Sequence, residues 1–295
     1  MKKIFFYLIL LLSVSLYSCI TYIDTEKDLG IKPKLVLFGY LVPQWDTTIV
    51  NLSSSAPLFT TNPKNPAPVA NATVEISENN TTWTKLEWDT AYKRYFIPQT
   101  DFSIKEGSTY YIRAAAPEYE TVYASCTVPY FRETNLKIDL AKTDTDIDNW
   151  FRYKGSFEWN DYPSEENYYM FCWKEFGEHI HYEHDWEYWE PPVSDTAYFF
   201  TWQFFWDTKN NTCLYSDFGQ DGKKMTPSID AWLPQDIVLT YLQTDKNCYL
   251  FEKSSENYDA DLQGFVLEPL QLYSNVKNGY GVFGAFVLKD YELEF

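Results

Sequence analysis

All three histidines of this 295-residue chain fall in one short stretch, Glu178-His179-Ile180-His181-Tyr182-Glu183-His184-Asp185. In an extended chain His179 and His181 project from one face, because side chains alternate along a strand. His184, with Glu183 or Asp185, completes a site after a turn. Neutral imidazoles plus a carboxylate suit Zn²⁺, Cu²⁺ or Ni²⁺; the alternative is a solvated, charged hairpin tip. Directly behind lie Trp186 and Trp189, among Asp185, Glu187 and Glu190 and beside Pro191-Pro192. Indoles in an exposed loop next to carboxylates stack on sugar rings or anchor a protein interface; the other reading is simple packing. Trp159 and Trp173 fall in strand-like text and read as core.

The catalytic inventory is thin, so the chain is expected not to be an enzyme. There is no G-x-S-x-G elbow, no H-E-x-x-H, and no histidine outside the cluster to serve a nucleophile. Glycoside hydrolysis needs only two carboxylates, but 42 acidic residues leave no pair singled out. No cofactor is expected either. Gly279-Tyr280-Gly281-Val282-Phe283-Gly284 fits G-x-G-x-x-G, yet that motif works through a following helix whose N-terminus holds a pyrophosphate. Here Ala285–Leu288 reads as strand and the chain ends shortly afterwards. Asn278-Gly279 instead favours positive φ, so the glycines are read as a tight turn into a closing strand.

One cysteine stands apart. Lys2 and Lys3 precede the apolar run Ile4–Leu12 and then Ser13-Val14-Ser15-Leu16-Tyr17-Ser18-Cys19. This describes a secretory signal ending in a bacterial lipobox, with Cys19 as the lipidated residue. Two or more acyl chains anchor a protein firmly. The other cysteines, Cys126, Cys172, Cys213 and Cys248, form no C-x-x-C pair. Neither a zinc ribbon nor a thioredoxin motif is present, and buried thiols and disulfides both stay open. The net charge of −18 argues against nucleic acid and against a polybasic grip on lipid.

The elements that must position these residues read as mostly β. Residues 1–18 are the signal peptide and 19–32 a lipidated polar tether. Over 33–131 short strands are expected at Leu35–Val42, Thr48–Leu52, Ala72–Ser77, Trp83–Trp88, Arg94–Ile97, Thr109–Ala115 and Thr121–Val128. In Ala72–Ser77, Val74 and Ile76 alternate with polar neighbours. Turn residues separate the strands, which predicts an immunoglobulin-like sandwich. The acidic stretch 132–148 reads as a linker. A second β-rich domain, 149–295, is expected to hold strands Arg152–Trp159, Asn167–Phe176, Ala197–Trp206, Ile237–Thr244 and Gly284–Phe295. One helix is expected from Lys246 to Tyr258, capped by Asp245.

The C-terminal stretch from Leu267-Glu268-Pro269-Leu270 through Asn275-Val276-Lys277-Asn278-Gly279-Tyr280-Gly281-Val282-Phe283-Gly284 resembles a Bacteroidetes lipoprotein family, the domain of unknown function numbered 4249. Gly39-Tyr40, the turn Tyr215-Ser216-Asp217…Asp221-Gly222-Lys223, and Val238-Leu239-Thr240 leading to Asp245 are similar to it as well. Asp24, Glu26 and Asp28 behind Cys19 resemble surface-export signals of such lipoproteins. The resemblance implies an outer-membrane lipoprotein on the cell surface. It would be an accessory binding or docking subunit of a SusC-like, TonB-dependent nutrient importer, beside a SusD-like lipoprotein. Metal or metal-complex capture through His179, His181 and His184 is the alternative function, and a glycan-active enzyme the third.

Overall fold

The structure is a computed structural model that describes residues 32–55, 67–147, 150–175, 203–204, 213–234, 237–256 and 272–293. The first half of the chain supplies β1 (Leu35–Leu41), β2 (Thr47–Ser54), β3 (Thr73–Ser77), β4 (Thr84–Lys85), β5 (Glu87–Asp89), β6 (Arg94–Pro98), β7 (Thr109–Ala115) and β8 (Val122–Thr127). The second half supplies β9 (Lys137–Ile147), β10 (Trp150–Asn160), β11 (Tyr168–Glu175), β12 (Gln203–Phe204), β13 (Leu214–Ser216), β14 (Lys224–Met225), β15 (Ser228–Pro234), β16 (Ile237–Thr244), the helix α1 (Lys246–Glu256) and β17 (Tyr280–Glu292). Among the described residues the chain is mostly β with one short helix, as expected.

Strict alternation builds the first sandwich. Leu35, Leu37 and Leu41 of β1 point inward with Val50 and Leu52 of β2 and Tyr95 and Ile97 of β6. They meet Val74 and Ile76 of β3, Tyr110, Ile112 and Ala114 of β7, and Val122, Ala124 and Cys126 of β8 from the facing sheet β4-β3-β7-β8. The single strand expected at Trp83–Trp88 is two. β4 pairs with β3 in one sheet, and β5 pairs with β6 in the other. The change of sheet happens at the buried Leu86, whose amide still donates to the Val74 carbonyl at 2.9 Å.

The second sandwich packs β9, β10, β14 and β15 against β11 and β16. Its core is aromatic: Tyr153, Phe157, Trp159, Tyr169, Phe171, Trp173 and Tyr241 are all buried. Trp159 and Trp173 are core residues, as read from sequence. Trp159 meets Tyr169 and Phe171 at centroid distances of 5.6 and 5.0 Å, in the edge-on and tilted arrangements that ring quadrupoles favour. The stretch 132–148, expected as a linker, contains β9. Ile138 and Leu140 of that strand pack on the aromatic core, while Asp139 between them is exposed. β11 buries both faces. Tyr169, Phe171 and Trp173 enter the aromatic core, while Met170 and Cys172 enter a third cluster that α1 covers with Cys248 and Tyr249.

The two sandwiches share β17. Its first half, Tyr280–Ala285, pairs parallel with β1, and its second half, Phe286–Glu292, pairs antiparallel with β16. A nine-stranded sheet therefore runs through both halves of the molecule. Phe283, Ala285 and Val287 sit in the core of the first sandwich, and Phe286 under the helix. The strand begins earlier than the expected Gly284, so Gly281 and Gly284 lie inside it and not in a turn. Gly281 has φ +108°, and a Cβ there would come within 2.0 Å of the Leu37 carbonyl oxygen on β1. Gly284 lies beneath the start of α1, where a Cβ would approach the Cys248 amide at 3.1 Å.

These clearances set a ranked expectation for urea unfolding. Gly281→Ala meets backbone and an unfavourable φ together, so it should cost about 3 kcal/mol or more. Gly284→Ala, where the helix can shift by a few tenths of an ångström, should cost about 1–2 kcal/mol. A Gly281 variant as stable as the Gly284 variant would contradict the close parallel pairing of β1 and β17.

Candidate functional site

Cys19, His179, His181, His184, Trp186 and Trp189 all lie outside the described residues. Within the described residues, two clusters of ionisable groups stand out.

The first is built where two loops meet. β10 ends at Asn160, and the next residue, Asp161, is buried. Its amide donates to the Lys223 carbonyl at 2.9 Å, which ties it to the turn after β13. That turn brings up Asp217 and Asp221, and one carboxylate oxygen from each of the three residues lies within 4.8 Å of the others. Each carboxylate also accepts hydrogen bonds. Asp161 accepts the Tyr169 hydroxyl at 2.7 Å and the Gly222 amide at 2.8 Å. Asp217 accepts the Asn167 amide at 3.1 Å, and Asp221 accepts the Ser164 amide at 2.7 Å. Burial pushes the Asp217 carboxyl up, and the charges of Asp161, Asp221 and Glu166 add to the effect. Three hard oxygen donors of this kind suit a hard cation such as Ca²⁺. The same hydrogen bonds also explain the cluster as a pin between residues 161–167 and 217–223.

The second cluster sits at the N-terminus of α1. Asp245 caps the helix as expected: its Oδ1 accepts the Cys248 amide at 2.8 Å and also the Ala285 amide of β17 at 3.2 Å. Oδ2 accepts the Asn247 side chain at 3.0 Å. Burial pushes the carboxyl up to about 6, against these hydrogen bonds, which favour the charged form. Nearby, the Tyr40 hydroxyl donates to Glu252 at 3.1 Å; burial, then the neighbouring Cys248 and Glu252, raise its pKa. Burial also raises the Cys126 and Cys248 thiols well above their ordinary value. A thiol held protonated and out of solvent is a poor nucleophile. The cluster therefore serves as a joint between helix and sheet.

The described part of the C-terminal stretch singled out in the sequence, from Leu272 on, is the rest of that joint. Asn275 donates to the carbonyls of Ser125 on β8 and Phe283 on β17, at 3.1 and 2.8 Å, and accepts the Phe283 amide at 2.9 Å. Asn247 donates to the same Ser125 carbonyl at 3.2 Å and accepts the Tyr273 hydroxyl at 2.8 Å. Asn278, at φ 63°, donates to the Thr121 carbonyl at 3.0 Å. Lys277 and Tyr123 exchange backbone hydrogen bonds, which adds one bridge to the edge of β8. The amides and glycines of this stretch hold the first sandwich against β17 and α1.

A family described as a domain of unknown function (DUF4249) matches residues 20–291. The chain belongs to that family. No curated protein matches it. The match takes in both clusters and the C-terminal joint, and it covers the expected tether from the residue after Cys19 onward.

The sequence pointed to the turn at Asp217–Lys223 but not to its partner Asp161, which lies on the other side of β11. It identified Asp245 as a cap without its second bond to Ala285. Because the Asp245 pKa is raised, between its ordinary 3.8 and about 6 the folded state holds a proton that the unfolded chain releases. The contribution of this group to stability is therefore fully present below the ordinary value of 3.8 and is lost as pH rises through about 6. Asp245→Asn keeps the capping acceptor and removes the titration. Relative to wild type, the variant should gain up to about 3 kcal/mol in unfolding free energy between pH 4 and pH 7. A constant difference across that range would mean that Asp245 titrates normally.

Proposed function

We propose that this protein is a lipoprotein of the outer membrane, anchored through Cys19 and facing the cell surface. In this reading it serves as an accessory binding or docking subunit of a SusC-like, TonB-dependent importer, beside a SusD-like lipoprotein. The observation that carries the reading is the position of the family match, which starts at residue 20, directly behind the lipobox cysteine. Residues 20–291 behind the expected anchor are thus one family domain, and its described part is a mostly-β body stitched through a shared sheet. Among the described residues no helix is long and apolar enough to cross a membrane, consistent with attachment by lipid. A stiff body on a short tether suits a protein that holds something at a surface. The two described clusters fit this too, since both spend their carboxylates on backbone amides between elements.

Acylation needs the thiol, so Cys19→Ala should move the protein from the detergent phase to the aqueous phase in a phase-partitioning assay. The urea midpoint of the body should stay unchanged, because the described fold starts well beyond that residue. Wild-type protein, solubilised gently from its membrane, should co-purify with an importer. A processed Cys19→Ala protein that still partitions into detergent contradicts the anchor, and wild type that brings down no importer contradicts the docking role.

A further inference from the structure

Phe218 is 92% exposed, while the next most exposed large apolar side chain among the described residues, Tyr130, is at 54%. It does not dangle. The turn that carries it is closed by two backbone bonds, Gln220 amide to Asp217 carbonyl at 2.6 Å and Lys223 amide to Gln220 carbonyl at 2.8 Å. The Lys223 ammonium donates back to the Gly219 carbonyl at 2.9 Å. Beneath it, Asp217 and Asp221 tie the turn to the facing loop through the Asn167 and Ser164 amides, and Gly222 donates to Asp161. The facing loop adds Tyr162, half exposed, whose ring carries the Arg132 guanidinium at 4.7 Å.

A phenyl ring carried into water on a hydrogen-bonded turn offers an anchor whose backbone ordering cost is already met in the free protein. Buried aromatic anchors of this kind dominate binding energy at protein interfaces. Charge selects the occupant. The carboxylates of Asp161, Asp217 and Asp221 cluster where the turn meets the facing loop, none of them is ion-paired among the described residues, and they outnumber the Lys223 ammonium on the same turn. They oppose an anionic headgroup surface, and a chain of net charge −18 opposes a second copy of itself at the same turn.

We propose that the Phe218 turn is the contact by which this protein docks on a partner protein whose surface offers an apolar pocket rimmed by Lys or Arg. The proposal rests on the docking reading above and gives that reading a place on the molecule. Its test is photo-crosslinking of the full-length lipoprotein in intact cells, with Phe218→p-benzoylphenylalanine and mass spectrometry of the adduct. The expected adduct joins residue 218 to a peptide of a different polypeptide, one with basic residues beside apolar ones. Its yield should fall several-fold in the Asp217→Asn/Asp221→Asn background, which keeps the amide acceptors and removes the charge. Phe218→Ala should then weaken binding to the captured partner about 30-fold. Adducts with lipid or with a second copy, no adduct, or a protein adduct indifferent to the two Asn substitutions would overturn the proposal. An importer that co-purifies without a residue-218 adduct places docking elsewhere and leaves the importer reading standing. A basic pocket on a protein other than an importer supports the turn and removes that reading.

Discussion

The pairing of β17 is the constraint on which the rest of the structure depends. One strand, Tyr280–Glu292, satisfies its backbone on β1 along its first half and on β16 along its second. The change of partner falls at Ala285 and Phe286. There the Ala285 carbonyl accepts the Asp245 amide at 2.8 Å, and the Ala285 amide donates to the Asp245 side chain. The residue that caps α1 thus also closes the strand at the point where the two sandwiches meet. Without that closure, buried backbone groups of the strand would lose partners, at about 1–3 kcal/mol for each orphaned group. A carboxylate carried in the interior at a raised pKa is tolerated because it satisfies three donors at once, two on α1 and one on β17.

The remaining features follow from holding β17 in place. Gly281 lets it approach β1 closely, and Asn275 locks the chain just ahead of it to both β8 and β17. The aromatic core of the second sandwich fixes β11 and β16. Loop 161–167 joins β10 to β11, and loop 217–223 joins β13, paired with β11, to β14, paired with β10, so both have a fixed origin. Residues 161–167 and 217–223 are pinned to each other by the carboxylates of Asp161, Asp217 and Asp221, and they hold Phe218 out from that origin.

Much of this was legible in the sequence where the physics is local. Alternation placed β3, and apolar or strand-rich runs bounded by turn residues placed β1, β7 and β16, each to within a residue or two. Asp245 announced the helix because a short side chain before a run free of β-branching is a capping signal. Non-local pairing was not legible. Nothing in Trp83–Trp88 says that Leu86 is where the chain leaves one sheet for the other. The acidic text of 132–148 hid β9, since an edge strand needs only Ile138 and Leu140 on its inner face. The glycines of 279–284 looked like a turn because the parallel partner that crowds them, β1, lies at the far end of the chain. The Asp161 cluster was hidden for the same reason, its members being brought together by the pairing of β10 with β14 and of β11 with β13. Cys19, His179, His181, His184, Trp186 and Trp189 rest on sequence alone.

The claim that the two sandwiches form one body joined through β17 is tested most directly by native-state hydrogen exchange, read residue by residue across a urea series. The account predicts that the amides of β1, β16 and β17 open together, with one free energy and one urea dependence, because they share a sheet. If β1 and its sandwich exchange through an opening well below the global unfolding energy while β16 stays protected, β17 does not couple the two halves and the account is contradicted.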